Sequence, residues 1–211
     1  MTKIALFGAT GTIGAGILKE ALARGHQVTA VMRDPGKLSG TKQLMIVQGD
    51  VLDAKSVAAV VKGHDAVISA FGPGLSGDPQ MLVQAAKALI EGTRNAGVRR
   101  LIVVNGAGSL EVAPGVRLVD TPQFPDGWRP LGFAHADSLE VYRTADLDWT
   151  AFSPAAMIEP GERTGKYRLG TDQLVMDDQG NSAISVEDYA IALLDELEAP
   201  KYIRRRMTAA Y

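Results

Sequence analysis

The chain has 211 residues, of which 46% are hydrophobic and 22% charged, and its formal net charge is −2. This length fits one domain with a sizeable core, and the near-neutral charge gives no basic field typical of a nucleic-acid partner. The sequence contains no cysteine, which excludes disulfides and thiolate nucleophiles. It shows neither a secretory signal nor a membrane span, so we expect a cytoplasmic protein without a membrane partner. We expect a monomer or a homodimer.

Short β-rich runs alternate with helical patterns through the first half of the chain. The runs are continuously apolar rather than alternating, as in strands of a parallel sheet that are buried on both faces. With helices between the strands, right-handed crossovers give an α/β, Rossmann-like fold, in which a doubly wound parallel sheet is flanked by helices. The predicted strands cover residues 3–7, 27–32, 43–48, 65–71 and 99–105.

The pattern loosens after residue 105. A proline-containing loop over residues 106–130 and a turn-rich segment over residues 154–185 are expected to form small substrate-side elements, the second of them a small C-terminal lobe. They belong to a single domain covering residues 1–211. A helix is predicted over residues 131–145 and a strand over residues 147–153.

The end of the chain carries three further signals. Ser185 and Asp188 have the spacing of a capping box that starts a last helix. The final residues suggest an edge strand. Arg204, Arg205 and Arg206 are expected in a solvated surface turn, because three charges alone make no nucleic-acid patch.

The stretch "GATGTIG" follows the first strand and opens the first helix. A glycine there permits a tight turn, the next keeps side chains away from a pyrophosphate, and the third lets the helix lie close to the strand. The first helical N–H groups and the helix dipole then favour phosphate. The alternative is a glycine-rich turn with no ligand. The residues assigned to a dinucleotide are Gly8, Thr10, Gly11, Thr12, Ile13 and Gly14.

The Gly-x-x-Gly-x-x-Gly spacing resembles the extended and atypical branches of the short-chain dehydrogenase/reductase superfamily. The stretches "VMRDPGKL", "VQGDVLD", "AVISAFGP" and "LIVVNGAGSL" are similar to the NAD(P)H-binding, NmrA-like family. The stretch "LDWTAFSPAAMIEPGERTGKYRLG" resembles members called NADH-flavin reductases. The resemblance covers nearly the whole chain.

The second strand ends where the adenosine ribose is expected, and Arg33 follows it. A guanidinium suits a 2′-phosphate, and Lys37 adds a second cation, which favours NADP. Asp34 is the alternative, because a carboxylate that binds the ribose hydroxyls favours NAD.

Further cofactor contacts are implied by position and by the resemblance. Asp50 and Val51 match the adenine contacts of the family, with Asp50 as a plain turn residue the alternative. The ends of strands four, five and six are expected beside the pyrophosphate, the nicotinamide ribose and the nicotinamide. The residues assigned there are Ala70, Phe71, Gly72, Asn105, Pro154, Ala155 and Ala156.

The usual acid–base pair of short-chain reductases, Tyr-x-x-x-Lys, has no counterpart at the expected place. Tyr142 is followed four residues later by Asp146 rather than lysine, and a carboxylate there raises a tyrosine pKa. Ser109 and His135 are the candidate catalytic residues, and each has a structural alternative, as a loop cap or as a packed histidine. No residue spacing indicates a metal site.

These features predict an NAD(P)H-dependent reductase that transfers hydride to a planar small-molecule acceptor, a flavin or a quinone, which needs no strong general acid. A non-catalytic, NmrA-like dinucleotide sensor is the first alternative. A sugar epimerase or dehydratase ranks last because it needs the tyrosine–lysine pair.

Overall fold

The computed structural model describes residues 1–37 and 39–211, without the side chain of Lys37, so the predicted contact of Lys37 with a 2′-phosphate lies outside the described residues. The helices are α1 (Thr12–Ala23), α2 (Ala54–Val61), α3 (Met81–Asn95), α4 (Arg129–Arg143) and α5 (Val186–Glu198). The strands are β1 (Lys3–Phe7), β2 (Gln27–Met32), β3 (Leu44–Gln48), β4 (Ala66–Ser69), β5 (Arg100–Val104), β6 (Glu111–Ala113), β7 (Val116–Arg117), β8 (Asp148–Ser153), β9 (Met157–Glu159), β10 (Arg168–Gly170), β11 (Ala183–Ser185) and β12 (Arg205–Ala210).

Eight strands form the central sheet, in the order β10-β12-β8-β5-β4-β1-β2-β3. Every pair is parallel except β10 with β12. The chain leaves β3, passes through α2 and enters β4 on the other side of β1, so the strand order reverses between β1 and β4. The carboxyl ends of these two strands therefore open the crevice in which such sheets bind ligands. The predicted Rossmann-like fold is confirmed.

Both faces of the sheet are covered by helices. α1 and α5 pack together on one face, and α2, α3 and α4 form a row on the other. In β1, Ile4 and Leu6 join the core beneath α1 and α5, whereas Ala5 and Phe7 join the core beneath the other three helices. Burial of both faces explains why the strand sequences are continuously apolar rather than alternating.

The last strand corrects the prediction of an edge strand at the end of the chain. β12 lies inside the sheet, parallel to β8 on one side and antiparallel to β10 on the other. The strand β10 forms the true edge, because the segment before α5 turns back along β12 and pairs Arg168 with Ala210. Such a long-range return carries no local sequence signal.

The prediction of a solvated turn at Arg204, Arg205 and Arg206 is wrong for Arg206, which is only 7% exposed. Its side chain donates hydrogen bonds to the carboxylate of Asp172, at 3.0 and 2.6 Å, and to the carbonyl oxygen of Ser109, at 3.0 Å. The Arg206 guanidinium can be buried because the carboxylate of Asp172 and the carbonyl of Ser109, both distant in the sequence, accept its hydrogen bonds.

The loop after β5 and the segment after β8 form the two small elements on the substrate side. Residues 106–130 contain short 3₁₀ turns and the β6–β7 hairpin, and residues 154–185 contain β9 paired in parallel with β11. Residues 160–167, here called the strap, connect β9 to β10 and contact α5.

Asp188 fixes the strap. Its backbone N–H donates to the Ser185 side chain, as in half of a capping box, but its carboxylate accepts from the Thr164 hydroxyl, the N–H of Gly165 and the Tyr211 hydroxyl. Burial alone raises the pKa of Asp188, and these hydrogen bonds outweigh it and hold the pKa below its ordinary value. One carboxylate therefore ties the strap, α5 and the last residue together.

Candidate dinucleotide site

A cleft of about 580 Å³ lies above the carboxyl ends of β1 to β4. Each of these strands contributes the residues that directly follow it, so the topology alone gathers them at one edge of the sheet. The cleft brings together nine of the residues predicted to bind the dinucleotide: Gly8, Thr10, Gly11, Arg33, Asp50, Val51, Ala70, Phe71 and Gly72.

The three glycines of the first turn have different roles. Gly8 has a φ of +78°, and a Cβ there would lie 2.5 Å from the carbonyl oxygen of Ala70. A Cβ on Gly14 would overlap the carbonyl oxygen of Gly8. A Cβ on Gly11 would meet only the Gly8 carbonyl oxygen at 3.6 Å, an ordinary contact. The protein itself requires Gly8 and Gly14, whereas the space beside Gly11 opens toward the cleft.

The amino terminus of α1 is free to bind a phosphate. Gly11 is the N-cap residue, no side chain caps the helix, and no acidic residue lies in its first turn. The first N–H groups of a helix need partners, and together with the dipole they favour an anion. Thr12 and Ile13 occupy this first turn, next to the exposed Thr10.

At the other end of the cleft, Arg33 and Asp34 follow β2. The Asp34 carboxylate accepts a hydrogen bond from the N–H of Gly36 at 3.2 Å, so it stabilises its own turn. The Arg33 side chain is exposed and makes no hydrogen bond or ion pair with a described residue, while its carbonyl accepts from Gln48. Asp50 also has a local role, since its carboxylate accepts from the N–H of Leu52 at 2.9 Å.

The ends of β5 and β8 lie beside β4 in the sheet, beyond the residues that line the cleft. Asn105 is buried, and its side-chain oxygen accepts from the N–H of Gly106 at 2.6 Å. Pro154 and Ala155 are buried, whereas Ala156 is exposed and its N–H donates to Ser182. The hydroxyl of Ser153, directly before them, is buried without a hydrogen-bond partner among the described residues. An unpaired polar atom at this strand end fits a ligand with polar groups.

His135 packs from α4 against the backbone of Gly106. A Cβ on Gly106 would lie 2.7 Å from the imidazole ring, so the ring covers the end of β5. Burial lowers the pKa of His135 to about 4. The imidazole is therefore neutral at physiological pH, able to donate or accept a hydrogen bond but not to act as an imidazolium acid.

Tyr142 lies on α4 in the core beneath α2, α3 and α4, with 5% of its surface exposed. Burial raises the pKa of its hydroxyl above the ordinary value. The Tyr142 side chain therefore lies away from the cleft, and its burial disfavours ionisation of the hydroxyl.

Ser109 lies on a 3₁₀ turn after β5, and the guanidinium of Arg206 donates to its hydroxyl oxygen at 2.9 Å. It lines a second depression between α4 and the β6–β7 hairpin rather than the cleft above β1 to β4. Its own O–H donates to no described residue. The predicted catalytic role of Ser109 stays a prediction.

Gly49 and Met81 are among the cleft residues that sequence reasoning missed. Gly49 follows β3, and a Cβ there would lie 2.6 Å from the Val31 side chain, so it lets β3 close against β2. Met81 lies at the start of α3 and reaches the cleft because that helix begins above β4. The sequence could have indicated Met81, because this residue lies at the start of a predicted helix that follows a predicted strand.

Two further properties hold for the described part of the chain. No group of three or more histidine, aspartate or glutamate residues is placed to hold a metal ion. None of the described helices is long and apolar enough to cross a membrane.

Comparison with known proteins gives a consistent picture. Residues 8–200 match the model of a family described as NAD(P)H-binding. A solved structure from Burkholderia pseudomallei that is provisionally named an exported protein is 52% identical with a TM-score of 0.92, and the match covers 100% of both chains. A structure from Streptococcus pneumoniae that is provisionally named an NADH-flavin reductase is 38% identical, with a TM-score of 0.85 and coverage of 100% of this chain and 99% of the other. One from Bacteroides thetaiotaomicron that is provisionally named an epimerase is 44% identical, with a TM-score of 0.89 and coverage of 100% and 97%.

The different roles of the glycines generate a prediction. Gly11→Val is expected to fold normally and to weaken dinucleotide binding by about 100-fold or more, about 2.7 kcal/mol, because the new side chain fills the space next to the helix terminus. Calorimetric titration with NADP⁺ measures the affinity, and thermal unfolding checks the fold.

Two matched variants serve as controls. Gly127→Val places the same side chain in open space outside the cleft and should change neither property. Gly14→Val should lower the melting temperature, because its Cβ overlaps Gly8. Wild-type affinity in a folded Gly11→Val variant would show that the turn does not hold the dinucleotide.

Proposed function

The chain belongs to the NAD(P)H-binding family, which confirms the resemblance to atypical, NmrA-like short-chain reductases. On this premise we propose that the protein is a reductase that transfers hydride from NADPH to a planar acceptor, a flavin or a quinone. Membership of this family supports a nicotinamide dinucleotide as the cofactor. The proposal concerns the preference for NADPH over NADH, the identity of the acceptor and the roles of the individual residues.

One observation supports the choice of acceptor: neither candidate proton donor, His135 or Tyr142, can serve as a strong acid at the end of β5. His135 is neutral at physiological pH, and Tyr142 is buried in the core. Reduction of a simple ketone generates alkoxide character that needs a proton donor in the transition state. A flavin or quinone delocalises the incoming charge, so that a solvent proton can complete the reduction.

When bound, the reduced nicotinamide supplies the hydride. The turn at Gly8 and Gly11 and the first turn of α1 bind the pyrophosphate, and Asp50 and Val51 bind the adenine. Ala70, Phe71, Gly72 and Asn105 line the path toward the nicotinamide. The small residues Pro154, Ala155 and Ala156 leave room for a flat ring, and Ser153 offers an unpaired hydroxyl. These residues bind and orient, which is the main contribution a protein makes to such a transfer.

His135 and Ser109 are the proposed polar contacts to the acceptor. A neutral imidazole donates a hydrogen bond to a carbonyl oxygen or ring nitrogen without losing its proton. The Ser109 hydroxyl, which accepts from Arg206, keeps its own O–H available to donate.

The preference for NADPH over NADH is supported by the turn after β2. The Asp34 carboxylate is engaged with the N–H of Gly36, whereas Arg33 is exposed within the cleft. A planar guanidinium suits the 2′-phosphate.

The alternative functions have less support. An epimerase or dehydratase needs an ionisable tyrosine beside the cofactor, and the candidate Tyr142 is in the core. A sensor that binds the dinucleotide without turnover would use the same cleft, and the turnover experiment below separates it from an enzyme.

The role of Arg33 is tested by substitution. Arg33→Ala is expected to weaken NADPH about ten- to a hundredfold and to leave NADH nearly unchanged, since a charge-assisted contact contributes about 1.5–3 kcal/mol. Fluorescence titration with both cofactors measures the change. An equal loss for both, or none for either, would return the ribose contact to Asp34.

The function is tested by NADPH oxidation against a panel of flavins and quinones, with acceptor-free samples as the baseline. The wild type is expected to turn over at least one acceptor, and Tyr142→Phe is expected to keep most of that rate. General acid catalysis contributes about 10²–10⁴-fold, so a hundredfold slower Tyr142→Phe variant with unchanged NADPH affinity would indicate tyrosine-driven carbonyl reduction. NADPH binding without oxidation of any acceptor would favour the sensor.

A further inference from the structure

A second cavity lies at the edge of the sheet opposite the dinucleotide cleft. It measures about 470 Å³ and opens beside the amino-terminal ends of β8 and β12, next to the last turn of α4. We call it the arginine cavity. It is lined chiefly by Arg143, Trp149, Asp172, Arg204, Arg205 and Arg206.

The lining carries a local positive charge in a chain whose net charge is −2. Arg206 is paired with Asp172 at 2.6 Å, and Arg204 is paired with Asp146, so these two arginines are neutralised. Arg143 lies 3.8 Å from an Asp172 oxygen that already accepts from Arg206, and it makes no hydrogen bond with a described residue. The exposed side chain of Arg205 makes neither a hydrogen bond nor an ion pair with a described residue. Arg205 therefore has no anionic partner among the described residues, and Arg143 has only weak ones.

One carboxylate outside the cavity competes for Arg143. Glu140, one helical turn earlier, lies 3.3 Å from the guanidinium, and its side chain is 67% exposed. Exposed pairs of this kind contribute about 0–1 kcal/mol. Such a pair does not prevent the guanidinium from turning to a stronger anionic partner.

The backbone shapes the cavity at Arg204. Its φ of +56° is the one left-handed value at a non-glycine residue in the described chain. The conformation is held by a hydrogen bond from its N–H to the carbonyl of Trp149 at 2.6 Å, and by one from its side chain to the carbonyl of Leu147. Unfavourable conformations of this kind persist where neighbours determine them, and they gather at functional sites. Here the turn brings three successive arginines to one cavity.

We propose that the arginine cavity binds a phosphate-type oxyanion, either free phosphate or the phosphate group of a small molecule. The unpaired guanidinium of Arg205 and the weakly paired one of Arg143 suit a phosphate dianion, because guanidinium forks match its oxygens in charge and geometry. The volume exceeds that of phosphate alone, and the indole of Trp149 forms an apolar wall for an attached organic group.

The test uses Trp149 as the reporter. The chain has two tryptophans, so Trp128→Phe leaves the cavity as the source of indole fluorescence. Inorganic phosphate, pyrophosphate and glycerol phosphate are titrated into this full-length variant with saturating NADP⁺, which occupies the glycine turn. A saturable change with one site is expected, and calorimetry on the unmodified chain should give the same affinity. Tighter binding of glycerol phosphate than of phosphate would identify a phosphorylated small molecule as the ligand, and the reverse order would identify free phosphate.

The controls separate a site from general charge effects. Arg143→Ala should raise the dissociation constant about tenfold or more. Arg94→Ala removes an equal charge from an exposed position on α3 and should leave it unchanged. No saturable response, the same response with sodium chloride of equal ionic strength, or equal binding by Arg143→Ala would overturn the proposal.

Discussion

The close approach of two backbones at the switch point of the sheet is the constraint on which the rest of the structure depends. Gly8 lies so near Ala70 that no side chain fits between the turns that follow β1 and β4, and Gly14 lies even nearer to Gly8. These contacts aim the amino terminus of α1 across the carboxyl ends of the strands. The position of the cleft, the order of the residues that line it and the free space at Gly11 all follow from this packing.

The chemistry that the cleft can support depends on what surrounds its far end. The neutral, half-buried His135 makes the region above β5 poor in acids, whereas the end near Arg33 is exposed and cationic. This polarity suits a molecule with a charged adenosine end and a reactive end that transfers hydride with little help from proton donors. The arginine cavity at the opposite edge of the sheet is linked to Ser109 by the hydrogen bonds that Arg206 donates.

Local signals in the sequence were sufficient for the strands β1, β2 and β5 and for most of the cleft. Glycine spacing and strand ends predict where Gly11, Arg33 and Asp50 lie, because connectivity alone brings strand ends together. Long-range pairing was not predictable. The addition of β10 outside β12, the burial of Arg206 against Asp172 and the role of Asp188 in holding the strap each depend on a partner more than twenty residues away. The same holds for Ser109, whose hydroxyl oxygen accepts a hydrogen bond from Arg206, a residue distant in the sequence.

The central claim is that the cleft holds the nicotinamide in one orientation for hydride transfer. The most direct test uses the two stereoisomers of NADPH that carry deuterium at C4, with mass spectrometry of the NADP⁺ formed during turnover with a flavin or quinone. A fixed orientation presents one face of the ring, so one isomer should yield NADP⁺ without deuterium and the other should yield NADP⁺ that retains it. Mixed retention from both isomers would contradict the account, because it would mean that the nicotinamide reacts without being oriented by the protein.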